Sequence, residues 1–221
     1  MDAQTQDALQ TLAEQEAERM ALSRELLDRD PTLGALTALI MAGDLLTAKR
    51  ARQMVRDGEV TATQSVVFVG SYARLAYMVG LMDEGLIEPE WVYRRLPDEW
   101  SGSDPDDMNP RFLTLWREAF AWNGSTYLRD GEDMLPAADV LHVFRGQDYG
   151  PGPIKPGLAW SLDRKVAEKF AKGAALRQSH RPGVVIEAMV MRKDVLAYMT
   201  GRREAEVIID PVDLMAPRMS L

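Results

Sequence analysis

Apolar residues recur at helical spacing through the first 130 positions, and after about position 139 they shift to short continuous or alternating runs that suit strands. The spacing predicts a first helix from Gln4 to Leu27, with Leu9, Leu12, Ala13, Ala17, Met20, Leu26 and Leu27 at mixed helical intervals. Asp30-Pro31 closes it, because the residue before a proline is pushed out of the helical region. A second helix is expected over Thr32 to Val55, around the apolar block Leu33 to Met41, and it ends at Asp57-Gly58. A third is expected over Thr63 to Asp83, a short fourth over Glu88 to Arg95 and a fifth over Arg111 to Asn123. The stretch from Pro97 to Pro110 has the Pro, Gly, Asp and Ser content of a loop. Asp130-Gly-Glu-Asp133 then leads into the strands.

Three strand-like segments in the last third of the chain carry the chemistry. The first, His142-Val-Phe-Arg-Gly146, ends in a guanidinium that can grip phosphate oxygens as a planar fork, beside a glycine that allows close approach to the backbone. His142 and Arg145 alternate to opposite faces of that strand, and His180 falls in the loop before Pro182. The second segment, Leu158-Ala-Trp-Ser161, precedes Leu162 to Ala171, whose apolar positions have helical spacing, so that Ser161 or Asp163 is placed to cap a helix. The third begins with Glu204-Ala-Glu206 and continues Val-Ile-Ile-Asp-Pro211. Glu204 and Glu206 are two residues apart in a strand pattern, so both project from one face, with alpha carbons about 7 Å apart. Gly201 is the expected turn point between this strand and the preceding one, Gly183 to Val190. Trp160 and Phe170 suit a core position or a cofactor wall, and the same holds for Trp116, Phe120 and Trp122 upstream.

Arginine, serine and glutamate, in that order on three strands, resemble the mono-ADP-ribosyltransferase family of the arginine-serine-glutamate type, which includes cholera toxin and the C2-like and C3-like clostridial toxins. The resemblance covers about residues 139 to 211, roughly a third of the chain. It implies that Arg145, with Gly146, Ser161, Trp160 and Phe170, binds NAD as a co-substrate. It also implies that Glu206 is catalytic and that Glu204, two residues upstream, receives the acceptor. An acid rather than glutamine at that upstream position resembles the arginine-modifying subgroup. The sequence departs from the family's usual Ser-Thr-Ser, reading Ser161-Leu-Asp163.

Composition narrows the alternatives. With 221 residues and 46% apolar content, the chain can bury one sizeable core or two small ones. The absence of cysteine excludes disulfides and thiolate metal sites, and two histidines make a zinc site a poor fit, so no metal is expected. No apolar run is long enough to span a bilayer, and the polar N-terminus does not resemble a signal peptide. A cytoplasmic protein without a membrane partner is therefore expected. Residues 1–138 hold 13 Lys+Arg against 24 Asp+Glu, whereas residues 139–221 hold 13 against 10, so the part expected to meet an anionic dinucleotide is the part that is not acidic. The acidic first half speaks against nucleic acid as a partner.

These observations lead to an α+β expectation: a helical region over residues 1–105, then a mixed sheet over 106–221 folded around an NAD cleft. The expected activity is transfer of ADP-ribose to a protein with an exposed arginine. An NAD glycohydrolase, a transferase acting on a small molecule or nucleic acid, and a silent NAD-binding or protein-binding module are the alternatives. The resemblance leaves open a role as toxin, viral effector or self-modifying regulator.

Overall fold

The computed structural model describes residues 3–31, 33–103, 108–147, 157–172 and 183–220; His180 and the expected boundary at 105 lie outside them. Among the described residues, seven helices and one seven-stranded mixed sheet make up an α+β architecture, with most of the helices at the N-terminus. No described helix is long and apolar enough to cross a membrane.

Helices α1 (Ala3–Arg29) and α2 (Ala35–Arg56) pack on each other. They are joined by the Arg19 Nε bond to Leu39 O at 3.2 Å and the exposed Lys49–Glu18 pair at 3.0 Å. The helix expected over 63–83 is divided into α3 (Ala62–Ser65), a 3-10 turn at Val66–Phe68, and α4 (Arg74–Asp83). Thr61 and Gln64 form a capping box that starts α3. At the interruption, which contains Gly70, Asp44 of α2 accepts the Tyr72 N–H through Oδ2 at 3.0 Å.

Helix α5 (Pro89–Ser101) runs straight through Pro97, where the sequence pattern predicts a loop. Val92, Leu96 and Trp100 explain why: they recur every fourth residue, all are buried, and their burial outweighs the backbone bond that one proline removes. Helix α6 (Pro110–Trp122) is capped by Asn109, whose side chain accepts the Arg111 N–H at 2.9 Å.

The sheet is built from β1 (Leu128–Arg129), β2 (Val140–Gln147), β3 (Ala159–Ser161), β4 (Val184–Met191), β5 (Val195–Met199), β6 (Glu206–Ile209) and β7 (Met215–Ser220), in the order β1-β5-β6-β3-β2-β4-β7. Every neighbouring pair is antiparallel except β1 with β5. Strand β5 intervenes between β4 and β6, where only a turn at Gly201 is expected, so the turn that contains Gly201 lies between Met199 and Glu206. Helix α7 (Arg164–Ala171) joins β3 to the rest of the chain, with Asp163 as its cap: its side chain accepts the Lys165 N–H at 2.8 Å.

Strand alternation divides the core into two faces. Leu141, Val143, Trp160, Ile186, Val207 and Ile209 pack together on one. On the other, Ala197, Met199 and Ile208 join Val92, Leu96, Trp100, Leu115 and Trp116 of α5 and α6 in a single cluster. One hydrophobic core thus draws residues from either side of position 105. Farther along the same face, Ala167 and Ala171 of α7 pack on Phe144 and Val185.

Candidate functional site

Strands β2, β3 and β6, which carry the three motif residues, lie side by side. The register pairs Phe144 with Ser161 and Ser161 with Glu206, so these three form one cross-strand row on the face that also bears the helices. The row continues to Met199 on one side and to Glu187 and Arg218 on the other. Glu187 is the charged node of its outer half, paired with Arg218 at 3.2 Å and with Arg164 at 3.8 Å.

The seam between β2 and β3 is weak. Its register is the single pair Phe144 and Ser161, whereas β2 makes eight pairs with β4 and β3 makes three with β6. Two half-sheets therefore meet at the row, with α7 over one and α5 and α6 over the other.

Arg145 lies next to the row, not in it. Alternation sends its Cβ to the opposite face, with Leu141 and Val143, and its Nη1 donates to the carbonyl oxygen of Ala159 across the seam at 2.6 Å. The guanidinium thus ties the two half-sheets together at the point where their backbone ladder stops. Trp160 shares that opposite face. It is 2% exposed within the core, and its indole N–H donates to Gly157 O at 2.9 Å, so of the two roles open to it the structure shows the core one.

Gly146 is explained by the protein's own packing. A Cβ there would stand 2.0 Å from Ala167 O and 2.5 Å from Ala171 N, so the backbone of α7, not a ligand, is the group that approaches it. Half-buried Phe170 stands against the same point, its Cβ 2.9 Å from where a Gly146 Cβ would fall.

Ser161 is 5% exposed, and its hydroxyl has two protein partners. It donates to the carbonyl of Glu204 at 2.6 Å and accepts the Asp163 N–H at 2.9 Å. With the Leu162 N–H bond to Ala205 O at 3.0 Å, it clamps the end of β3 to the turn that carries Glu204. Its role is to position that turn; the capping of α7 belongs to Asp163.

Glu206 is the first residue of β6 and half-buried, with Oε1 accepting the indole N–H of Trp100 at 3.0 Å. Trp100 is itself 3% exposed, set edge-on against Phe112 and Trp116 with ring centroids 6.0 and 5.5 Å away. The carboxylate is thus oriented by a donor that the helical region holds rigid. Sequence reasoning missed this partner; the recurrence of Val92, Leu96 and Trp100 was the signal that could have found it.

Glu204 departs from the expected geometry. It precedes β6, and Ala205 between the two glutamates has φ +43°, so strand alternation does not extend to it and does not place both acids on one face. The turn closes through Arg203 N to Thr200 O at 2.7 Å, with Arg203 at φ +57°. Arg203 and Ala205, rather than Gly201, take the left-handed conformation, and two such non-glycine residues flanking one acid are local strain of the kind found at functional sites. Asp130 holds the turn from outside, accepting the N–H groups of Thr200 and Gly201 at 2.9 and 3.0 Å and the Ser101 hydroxyl at 3.0 Å. Burial raises the Glu204 carboxyl above its ordinary range, opposed by the positive charges of Arg202 and Lys169. A half-buried acid with raised proton affinity suits a base better than a fully solvated one does.

Among the described residues no group of His, Asp or Glu is arranged to hold a metal ion. No family model, curated protein or solved structure matches the chain.

Proposed function

We propose that this chain transfers ADP-ribose from NAD to a protein side chain, an exposed arginine, and releases nicotinamide. The observation that carries the proposal is that the three strands of the resemblance lie side by side, with Phe144, Ser161 and Glu206 in one row and Arg145 following Phe144 on the opposite face. Support also comes from the environments of the two acids: Glu206 is fixed by the Trp100 indole, whereas Glu204 rides on a strained turn next to Arg203.

In this proposal the bond between the ribose C1′ and the nicotinamide nitrogen breaks with its electron pair going to the nitrogen. The ring is cationic in NAD and departs neutral, so no general acid is needed. Positive charge develops on the ribose, and a carboxylate hydrogen-bonded to the 2′-hydroxyl stabilises it; Glu206 supplies that group. A guanidino nitrogen of the acceptor then gives its lone pair to C1′, and its proton passes to Glu204. Arg145 is assigned to the NAD phosphates, as the sequence resemblance implies.

The test uses NAD labelled in its adenylate phosphate, incubated with the protein and a cell lysate and followed by gel autoradiography and mapping of the adduct by mass spectrometry. Labelling of arginine is expected. Glu206→Gln should lower the rate by roughly a hundredfold or more while keeping most NAD affinity, as removal of one preorganised charge does. Glu204→Gln should cut labelling yet leave hydrolysis to free ADP-ribose largely intact. Near wild-type transfer by Glu206→Gln would remove that residue from the mechanism. An adduct on another side chain or on a base would overturn the arginine assignment, and release of ADP-ribose without any adduct would make the protein a glycohydrolase.

A further inference from the structure

A cavity of about 580 Å³ opens at the β1 edge of the sheet, between α5, the end of α6 and the turn after β4. Its walls combine three arginines, Arg94, Arg129 and Arg192, with three aromatic rings, Tyr93, Trp122 and Tyr127. Neither Arg145, Ser161, Glu204 nor Glu206 lines it. We propose that this cavity binds a free nucleotide, its base against the aromatic rings and its phosphates on the arginines.

The charge argument is local. Residues 1–138 carry 24 acidic against 13 basic side chains, yet no Asp or Glu lines this cavity. Three arginines elsewhere in the same region are neutralised: Arg52 by Glu84, Arg111 by Asp83 and Arg117 by Asp210. Among the described residues, none of the three cavity arginines has a carboxylate partner. Arg94 stacks over Trp122 at 5.7 Å, Arg192 stacks over Tyr127 at 5.6 Å and donates to Pro136 O, and Arg129 donates to Glu132 O. Three positive charges with only neutral partners match a ligand carrying more than one negative charge, which favours a nucleoside phosphate over a simple aromatic carboxylate.

The aromatic argument is geometric. Tyr93 and Trp122 meet at 5.9 Å with an interplanar angle of 48°, and Trp122 remains 40% exposed. An open indole beside arginines already stacked on aromatic faces is an arrangement that takes up a planar base and its phosphates together. The volume lies within the range of small-molecule sites.

The test monitors the five tryptophan indole N–H signals by nuclear magnetic resonance in uniformly labelled protein, the Trp122 signal being assigned by its loss in Trp122→Phe. ADP should shift the Trp122 signal in a saturable way. Adenosine and inorganic pyrophosphate, each lacking half of the chemistry, should need at least tenfold higher concentration. Arg94→Gln with Arg192→Gln should weaken the ADP response at Trp122 by tenfold or more, and Arg145→Lys, at the residue assigned to the NAD phosphates and outside this cavity, should leave it unchanged. That last variant separates this site from the proposed NAD cleft. A Trp122 signal unmoved by millimolar ADP, or one moved equally by adenosine, would overturn the proposal. Tighter binding of a single-stranded oligonucleotide than of ADP would reassign the cavity to a nucleic-acid strand.

Discussion

Strands β2 and β6 bear Arg145 and Glu206, and the protein holds them by different means. Strand β6 is gripped at both ends by polar bonds from the helical region: the Trp100 indole on Glu206 at its start, and the Arg117 guanidinium on buried Asp210 just past its end. Strand β2 is held by eight register pairs with β4 and by the backbone of α7 pressed against Gly146. One strand is oriented by directional bonds and the other by contact distance. The difference teaches that α5 and α6 are part of the support of the candidate carboxylate, not an appended domain, whereas the arginine side depends on how closely one short helix can approach a strand.

The sharpest way to break the comparison is Gly146→Ala. The added methyl meets backbone atoms of α7 at 2.0 and 2.5 Å, which cannot rotate away as a side chain would. A loss of about 3 kcal/mol in unfolding free energy is expected, the upper part of the usual range for overpacking. Urea denaturation showing a stability within about 0.5 kcal/mol of the parent, the scale of an ordinary surface substitution, would mean that α7 is not held against β2 as described.

Arg145→Lys comes next, because it keeps the charge at the seam and removes the fork. A lysine cannot bond Ala159 O and hold a phosphate with the same planar geometry. NAD binding should weaken by roughly 1.5 to 3 kcal/mol, the scale of a hydrogen bond to a charged group. Calorimetry giving unchanged NAD affinity in a folded variant would assign the arginine to the seam alone.

How far these features were legible in the sequence depends on whether local rules were obeyed. The helices at 35–56 and 110–122 and the strands around Arg145, Ser161 and Val207 were legible because apolar runs and the breakers that flank them agree there. The extension of α5 to Trp100 was hidden by Pro97, whose cost is overridden by burial of a face that is visible only when 92, 96 and 100 are counted together. The split between α3 and α4 falls at Gly70-Ser71, a local breaker that the helix expected over 63–83 passes over, and Asp44, 28 residues from Tyr72, bonds the chain there. The shared face of the two glutamates failed because alternation holds only within a strand, and Ala205 at φ +43° ends the strand one residue too early. The order of the motif residues was readable, but their coupling to the helices is a long-range contact, and long-range contacts leave no periodicity.

The smallest expected effect concerns that coupling. Trp100→Phe removes the indole N–H from Glu206 while keeping an aromatic ring against Phe112 and Trp116. If the bond orients the carboxylate toward the ribose, turnover should fall about tenfold, equivalent to about 1.4 kcal/mol of transition-state stabilisation, with little change in KM. A smaller ring in a buried position also loosens packing, so the rate alone does not separate the two causes. A double-mutant cycle with Glu206→Gln does. An indole acting through Glu206 has little left to orient once the carboxylate is gone, and the Trp100→Phe effect should then largely vanish in the Glu206→Gln background. Equal effects in both backgrounds would reduce Trp100 to a core residue and leave β6 with a directional grip from the helices at its far end alone, through Arg117 and Asp210.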